Sequence, residues 1–541
     1  MPLFASPLSH GRVRFLWLIM ATGLLLHSAA TPIPIGSRLQ VLWDDEVIDV
    51  EKTTAKAVLH HPEFDGVALV LTNAWDNGGG GYRNIFHDGE KYRMYYGAYA
   101  IGGTNGCVIC CAESKDGLTW TKPSLGIRTF RGSRANNIIL DTSVEPGLDN
   151  CYVFCDDNPN CPPDERYKAV VARELHLPLD TPQPPGSYMF KFEEEGYAIV
   201  FELWFYFSED GYRFHLGRKI TREGLFDSYN HVFWDKEKGE YVCYFRGYHL
   251  AGERNTGHKW TDWRDLWQGL KGERHIRDIR RIVSKDAVVW SEPELIDYGA
   301  DAPDYPMYTN GILPYPREKS LFVGIATRYN ERGGGWTPNF DRLPRSETRK
   351  RAMETSPREG LNISDNVFMF SRDGKLFHRV DEAFMTPGPE ARRNWCYGDC
   401  YVSSGFFPVK GLEGADCRYG IITSVGAKSG EPMALHRYVI RQDGFVSREA
   451  PYRGAKVVTK PIAFSGSRML INFSTSGRGY VYVTLRDESG NELRSCELFG
   501  DRVDREVDFD GTLTAFANRA VTVDFDMRDA QLYSFRFAGR D

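Results

Sequence analysis

The chain has 541 residues and offers little that would place it on nucleic acid or around a metal. Its formal charge is -6 and its basic residues form no block, so nucleic acid is not an expected partner. Cys107, Cys110 and Cys111 make one C-x-x-C-C cluster, but no second C-x-x-C or His pair at ligand spacing follows. His60 and His61 lie in a lead-in strand just before Pro62 and do not supply that pair, so no metal and no other cofactor is expected. The glycine run Gly78 to Gly81 lacks the Lys-Ser/Thr of a phosphate loop and reads as backbone that must come close to something. Past Leu26 no apolar run approaches the about 20 residues that cross a bilayer.

The amino terminus is different. Arg12 and Arg14 precede an apolar stretch from Phe15 to Leu26, followed by the small residues Ser28 and Ala30. That order is a secretory signal over residues 1–30, so the expected location is secreted or periplasmic, with no membrane contact after cleavage. The cysteines number 11, and an odd count leaves at least one unpaired. Cys155 with Cys161, and Cys396 with Cys400, are spaced for local bridges in an oxidising compartment, whereas Cys107, Cys110 and Cys111 read as buried strand thiols.

What the chain has in quantity is turns and aromatic strands: 53 glycines, and aromatics at 13%. "ESKDGLTW" around Asp116 recurs as "FSEDGYRF" at Asp210, "VSKDAVVW" at Asp286, "FSRDGKLF" at Asp373 and, more weakly, "IRQDGFVS" at Asp443. The intervals, about 70 to 94 residues, each hold one four-stranded antiparallel sheet. Asp bonds its own downstream amides and Gly tolerates positive φ, so each pair closes a corner. Ahead of each corner stands a strand-turn-strand unit, "RNIFHDGEKYRMYYGAY" (83–99) being the clearest. Five units of this kind predict an all-β fold, a five-bladed β-propeller with an N-terminal lead-in over residues 31–445. The alternative is an irregular β-sandwich with chance Asp-Gly turns. Residues 446–541 change texture to short alternating strands with turns every eight to twelve residues, a separate C-terminal β-sandwich. The stretch from Arg332 to Gly360 breaks the strand pattern and reads as a long loop over one mouth of the propeller.

Five units with "S-x-D-G-x-x-W" corners, joined to a sandwich with "TKPIAFSGSRMLIN" and "AQLYSFRF", resemble secreted bacterial proteins related to glycoside hydrolase families 32, 43 and 68. The resemblance implies an exported glycoside hydrolase, exo-acting on furanosides or related sugars and working as a monomer on an oligo- or polysaccharide. In those families carboxylates at the inner strands of the first three blades act as nucleophile or base, transition-state stabiliser and general acid.

Carried onto this chain, the pattern is displaced. The first-blade Asp falls near Tyr82 or Arg83, and the third-blade Glu near Asp227 or Asn230. The carboxylates expected to do the chemistry are therefore Asp149, Asp227 and Asp304. Arg83, Asn84, Asn230, Arg246, Tyr308, Asn310, Trp395 and Asp399 are expected to bind substrate, because polar side chains stand where a core would want aliphatic ones. Each has a plainer role in a turn or a structural pair, and a glycan-binding propeller without catalysis is the alternative function.

Overall fold

The computed structural model describes residues 31–99, 106–143, 145, 147–252, 275–330, 332, 335–355, 357–392, 394–410, 416–426 and 431–539. The expected signal segment, residues 1–30, lies outside them. Five separate antiparallel sheets follow one another along the chain. Blade one pairs Arg83–His87, Tyr92–Tyr99, Cys107–Ser114 and Ile138–Asp141. Blade two is built on Leu148–Cys155, Tyr167–Pro178 and Tyr197–Ser208, with two further strands on the last of these. Blade three runs from His231–Asp235 through Glu240–Leu250 and His275–Ser284 to Glu294–Leu295. Blade four runs from Leu313–Tyr315 through Glu318–Asn330 and Ile363–Ser371 to His378–Met385. Blade five takes only three strands from its own stretch; the fourth is Glu63–Val70, from before blade one, so the ring closes by pairing the start of the propeller to its end.

The cores lie between blades. One cluster joins Val153, Ala169 and Tyr206 of blade two to Tyr95 and Ile109 of blade one, and another joins Val242 and Tyr244 of blade three to Phe322 and Met369 of blade four. The corners lock this arrangement. Asp116 accepts from the amides of Leu118 and Thr119 and from the Ser114 hydroxyl, at 2.8 to 2.9 Å. Asp210, Asp286 and Asp373 repeat that pattern with their own Ser and downstream amides. The corner of one blade then docks on the blade before it: Tyr95 donates to the Gly211 carbonyl at 2.9 Å, and Tyr244 to the Gly374 carbonyl at 2.7 Å.

The fifth corner departs from the others. Asp443, with φ 59°, accepts from Tyr315, Arg317, Asn472 and Ser534 in a buried network between the propeller and the C-terminal strands. Those strands form one ten-stranded hydrogen-bonded network around a single apolar core, dominated by the long antiparallel pair Arg468–Asp487 and Val521–Ala538. The lead-in strands join this unit: Ile33–Gly36 pairs with Ile462–Phe464, Gln40–Val41 with Val521–Ala538, and Lys56–Leu59 with Val446–Ala450. Trp43 crosses back to the propeller, edge-on to Tyr315, Phe368, Phe370 and Phe445 at 5.2 to 5.3 Å.

The expected bridges are corrected. All eleven cysteines are free thiols, including Cys155, Cys161, Cys396 and Cys400. Cys161 is taken up by the buried Lys168, whose ammonium lies 3.1 Å from the sulfur, and Cys107, Cys110 and Cys111 sit in the third strand of blade one.

Candidate active site at the propeller axis

The residues just ahead of each inner strand, or in its first turn of chain, surround a cavity of about 430 Å³. Blade one contributes Tyr82 and Arg83, blade two Asn150, blade three Asp227, blade four Tyr308, and blade five Tyr397 and Tyr401. The glycine run makes one wall. Gly81 has φ 51°, and a Cβ there would lie 2.2 Å from the Gly97 carbonyl oxygen, so only glycine lets the two backbones meet and bring Tyr82 inward. The loop between the second and third strands of blade four folds as three short helices, α1 (Pro338–Arg342), α2 (Ser346–Thr355) and α3 (Pro357–Leu361), and α3 places Glu359 in the cavity wall.

The aromatic lining is continuous. Tyr229, Tyr82, Tyr401, Tyr308 and Tyr329 stack in succession at centroid spacings of 5.1, 5.8, 5.3 and 5.0 Å, with ring planes 15° to 28° apart. The Tyr308 and Tyr397 hydroxyls share a hydrogen bond at 2.8 Å. Below the stack the axis is filled: His231 shares a hydrogen bond with Ser404 of blade five, and burial pushes its imidazole down to about 3, leaving it neutral.

Asp227 in the cavity lining and Asp149, next to the lining residue Asn150, stand in different electrostatic settings. Asp227 has a half-exposed side chain 3.2 Å from the buried Arg246 guanidinium. Arg246 also donates to the Leu225 carbonyl and lies over the rings of Tyr248 and Tyr308. Asp149, beside Asn150, is pushed well above the carboxylate range, first by burial and then by the negative charges of Asp227 and Glu174, with Arg246 opposing. Its Oδ2 accepts from Asn150 at 2.6 Å. Glu174 is itself raised, by burial and by Asp227. A carboxyl group that holds its proton more tightly than usual thus stands beside one that faces a guanidinium, the arrangement that sets an acid apart from a base.

The other expected residues divide sharply. Arg83 lines the cavity, but its guanidinium donates to the carbonyls of Tyr401 and Gly81, and burial lowers it to about 10. Asn84 clamps blade one to blade two, exchanging two hydrogen bonds with the Val153 backbone. Asn230 donates to Phe226 and Ser228, and Asn310 ties blade four to the Tyr229 carbonyl of blade three. The polar ring is therefore in part a set of stitches between inner strands. Asp304 receives His249 at 3.0 Å, and His249 is held on its other nitrogen by Asp278 at 3.2 Å, away from the cavity lining. Asp399 is buried with both oxygens on the amides of Cys396 and Gly426; burial carries it to about 7 although those bonds pull it down. Trp395, at φ 63°, donates to the Gly388 carbonyl and packs against Phe340, Leu343 and Leu361, helping to seat the helical loop.

Sequence reasoning passed over Glu174 and Glu359. Glu174 lies on the second strand of blade two, and only strand register brings it back beside Asp149, through the bond from its amide to the Gly147 carbonyl. Glu359 comes from a loop whose fold no strand repeat anticipates. Among the described residues no cluster of His, Cys, Asp or Glu is arranged to hold a metal ion.

No protein-family model matches the sequence, and no curated protein matches it. Among solved structures, the chain is similar to an N-acetylgalactosamine deacetylase from F. plautii in complex with blood group B trisaccharide, at 11% identity and a TM-score of 0.41, over 72% of this chain and 96% of that one. It is also similar to a family 32 β-fructofuranosidase from Bombyx mori, at 10% identity and a TM-score of 0.36, over 89% and 95%. A third is a fructofuranosidase from Schwanniomyces occidentalis complexed with fructosylnystose, at 10% identity and 0.35, over 86% and 99%.

Proposed function

We propose that the protein is an exported glycoside hydrolase that removes terminal sugars, with Asp149 as general acid and Asp227 as base or nucleophile. The observation that carries this reading is the unequal pair: Asp149 with its pKa pushed up by burial and by Asp227, and Asp227 facing the Arg246 guanidinium at 3.2 Å. The leaving oxygen of a glycoside needs a proton, and the anomeric carbon needs a carboxylate or an activated water on its other face. Tyr82, Tyr401 and Tyr308, stacked on one another, offer a sugar in the cavity an aromatic wall that carries hydroxyls. A cavity closed below by Tyr229, His231 and Ser404 suits a chain end better than a chain interior, which supports exo action, with furanosides as the substrate class. The Arg12 to Ala30 segment supports export.

A second reading, glycan binding without cleavage, is favoured by Tyr82 and Arg83 standing where a first-blade carboxylate would be expected. Sugar release from plant and algal polysaccharides and aryl furanosides separates the two. Release by the wild type, lost in Asp149→Asn and Asp227→Asn with the circular dichroism spectrum intact, supports the hydrolase. Binding of a glycan without release sinks it.

A further inference from the structure

Blade five places two like charges directly opposite each other. Arg418, on Asp416–Val425, is the register partner of Arg441 on Ala434–Arg441. Like charges in facing positions disfavour a sheet unless an anion relieves them. Arg441 is relieved: it donates to Asn472 at 2.8 Å and to the Phe473 carbonyl at 3.1 Å, and it pairs with Asp501. Arg418 is not. Its guanidinium has no hydrogen-bond or ion-pair partner among the described residues, and neither has that of Arg502, the neighbour of Asp501 on the strand Asp501–Glu506.

All three arginines line one cleft of about 860 Å³ between blade five and the C-terminal unit, a size within the range of small-molecule sites. Its acidic lining residues are Glu63 and Asp501, and Asp501 is already spent on Arg441. Ser474 and Gln531 add neutral polar groups to the same walls. The cleft therefore offers two unspent guanidinium groups, which bind carboxylate and sulfate oxygens in pairs, next to groups suited to hydroxyls. The chain as a whole carries -6, which opposes a polyanion as densely charged as a nucleic acid and leaves sparser anionic chains as the fitting class.

We propose that this junction cleft is a second glycan site, separate from the axial cavity, which takes the carboxylate or sulfate ester of an acidic polysaccharide on Arg418 and Arg502. It would hold the polymer while the axial cavity meets a chain end, and it binds whether or not the axial cavity cleaves.

Calorimetric titration of the full chain tests this with oligogalacturonate, a sulfated galactan oligosaccharide, an uncharged galactan oligosaccharide, inorganic sulfate and oligothymidylate. The expected result is binding of at least one charged oligosaccharide at 50 mM salt, weakened at least tenfold in R418Q/R502Q, unchanged in D227N, and not matched by the uncharged oligosaccharide. The first two ligands separate a carboxylate site from a sulfate site. The variant's thermal midpoint should match the wild type, since neither guanidinium holds another residue. Absence of binding to both charged oligosaccharides overturns the proposal, as do equal binding of the uncharged one and unchanged affinity in R418Q/R502Q. Tighter binding of oligothymidylate, or binding of sulfate alone, overturns it as well. Binding lost in D227N but kept in R418Q/R502Q places the ligand in the axial cavity, which sinks this proposal and leaves the hydrolase reading standing.

Discussion

Asp227 lies 3.2 Å from the guanidinium of Arg246, a buried side chain that also faces Tyr248 and Tyr308. The pair fixes a negative charge at the rim of the axial cavity, and that charge helps to keep Asp149 protonated. Replacing Asp149 or Asp227 by Asn should lower kcat/KM about 10²- to 10⁴-fold, the usual range for a proton-transferring group.

The sign of the pH profile follows from the same fields. Activity that needs protonated Asp149 falls as pH rises through its raised pKa, giving the alkaline limb. Glu174 adds to that raise, so Glu174→Gln should move the alkaline limb to lower pH. A pH profile of kcat/KM checks this. A limb that stays in place, or moves up, removes Asp149 as the acid.

His249 makes a stability prediction instead. Burial alone would lower its pKa, but hydrogen bonds to Asp278 and Asp304 raise it from 6.5 to about 9. Arg280 donates to both oxygens of Asp278 at 3.1 Å. A folded pKa above the unfolded one means the stabilisation is complete below pH 6.5 and is lost as pH rises through about 9. The shift is worth up to about 3 kcal/mol, less for the share carried by the partly exposed Asp304. Urea midpoints measured from pH 6 to pH 10 should fall across that window in the wild type, and His249→Gln should flatten the fall.

The repeat made the blades legible because four of the five Asp corners bond within themselves, as Asp116 does with Leu118 and Thr119, and Asp286 does so although Ala287 stands in place of the glycine. The closure of blade five by Glu63–Val70 was not legible, since its partner Ala434–Arg441 lies some 370 residues away and leaves no local trace. The site was half legible for the same reason. Asp227 and Tyr308 could be placed from their distance to an inner strand, but whether Asn84 and Asn310 turn to the cavity or to the next blade's backbone depends on contacts between blades. Asp399 misled because its neighbours are those of a turn and of a pocket alike; the amides of Cys396 and Gly426 settle it as a turn.

Gly81 tests the wall of the cavity. A Cβ there would meet the Gly97 carbonyl oxygen at 2.2 Å, whereas Gly126, with φ 67°, has nothing within 4 Å of its would-be Cβ. Gly126→Ala should cost only the left-handed backbone term, about 1 kcal/mol. Gly81→Ala should cost at least about 2 kcal/mol more, since backbone must move, and should lower whatever axial ligand binding the wild type shows. Equal thermal midpoints for the two variants would mean that the Gly81–Gly97 approach does not hold the wall.

Asp443 is the corner that was diverted to join the two parts of the molecule. Its carboxylate is fully buried and accepts from Tyr315 at 2.7 Å, Arg317 at 3.0 Å, Asn472 at 3.1 Å and Ser534 at 2.6 Å, so three segments far apart in sequence depend on one side chain. Removing it leaves Arg317 with Asp504 as its remaining acidic partner and strands two buried donors. Asp443→Ala should therefore cost about 3–5 kcal/mol, as breaking a buried pair does, and far more than Asp286→Ala at the exposed corner of blade three. The variant should also separate the two parts, so that a single denaturation transition in the wild type becomes two. If Asp443→Ala melts like Asp286→Ala in one step, the Asp443 network does not couple the propeller to the C-terminal strands, and the coupling rests on the Trp43 contacts with Phe368 and Phe445 and on the pairs Arg441–Asp501 and Arg317–Asp504.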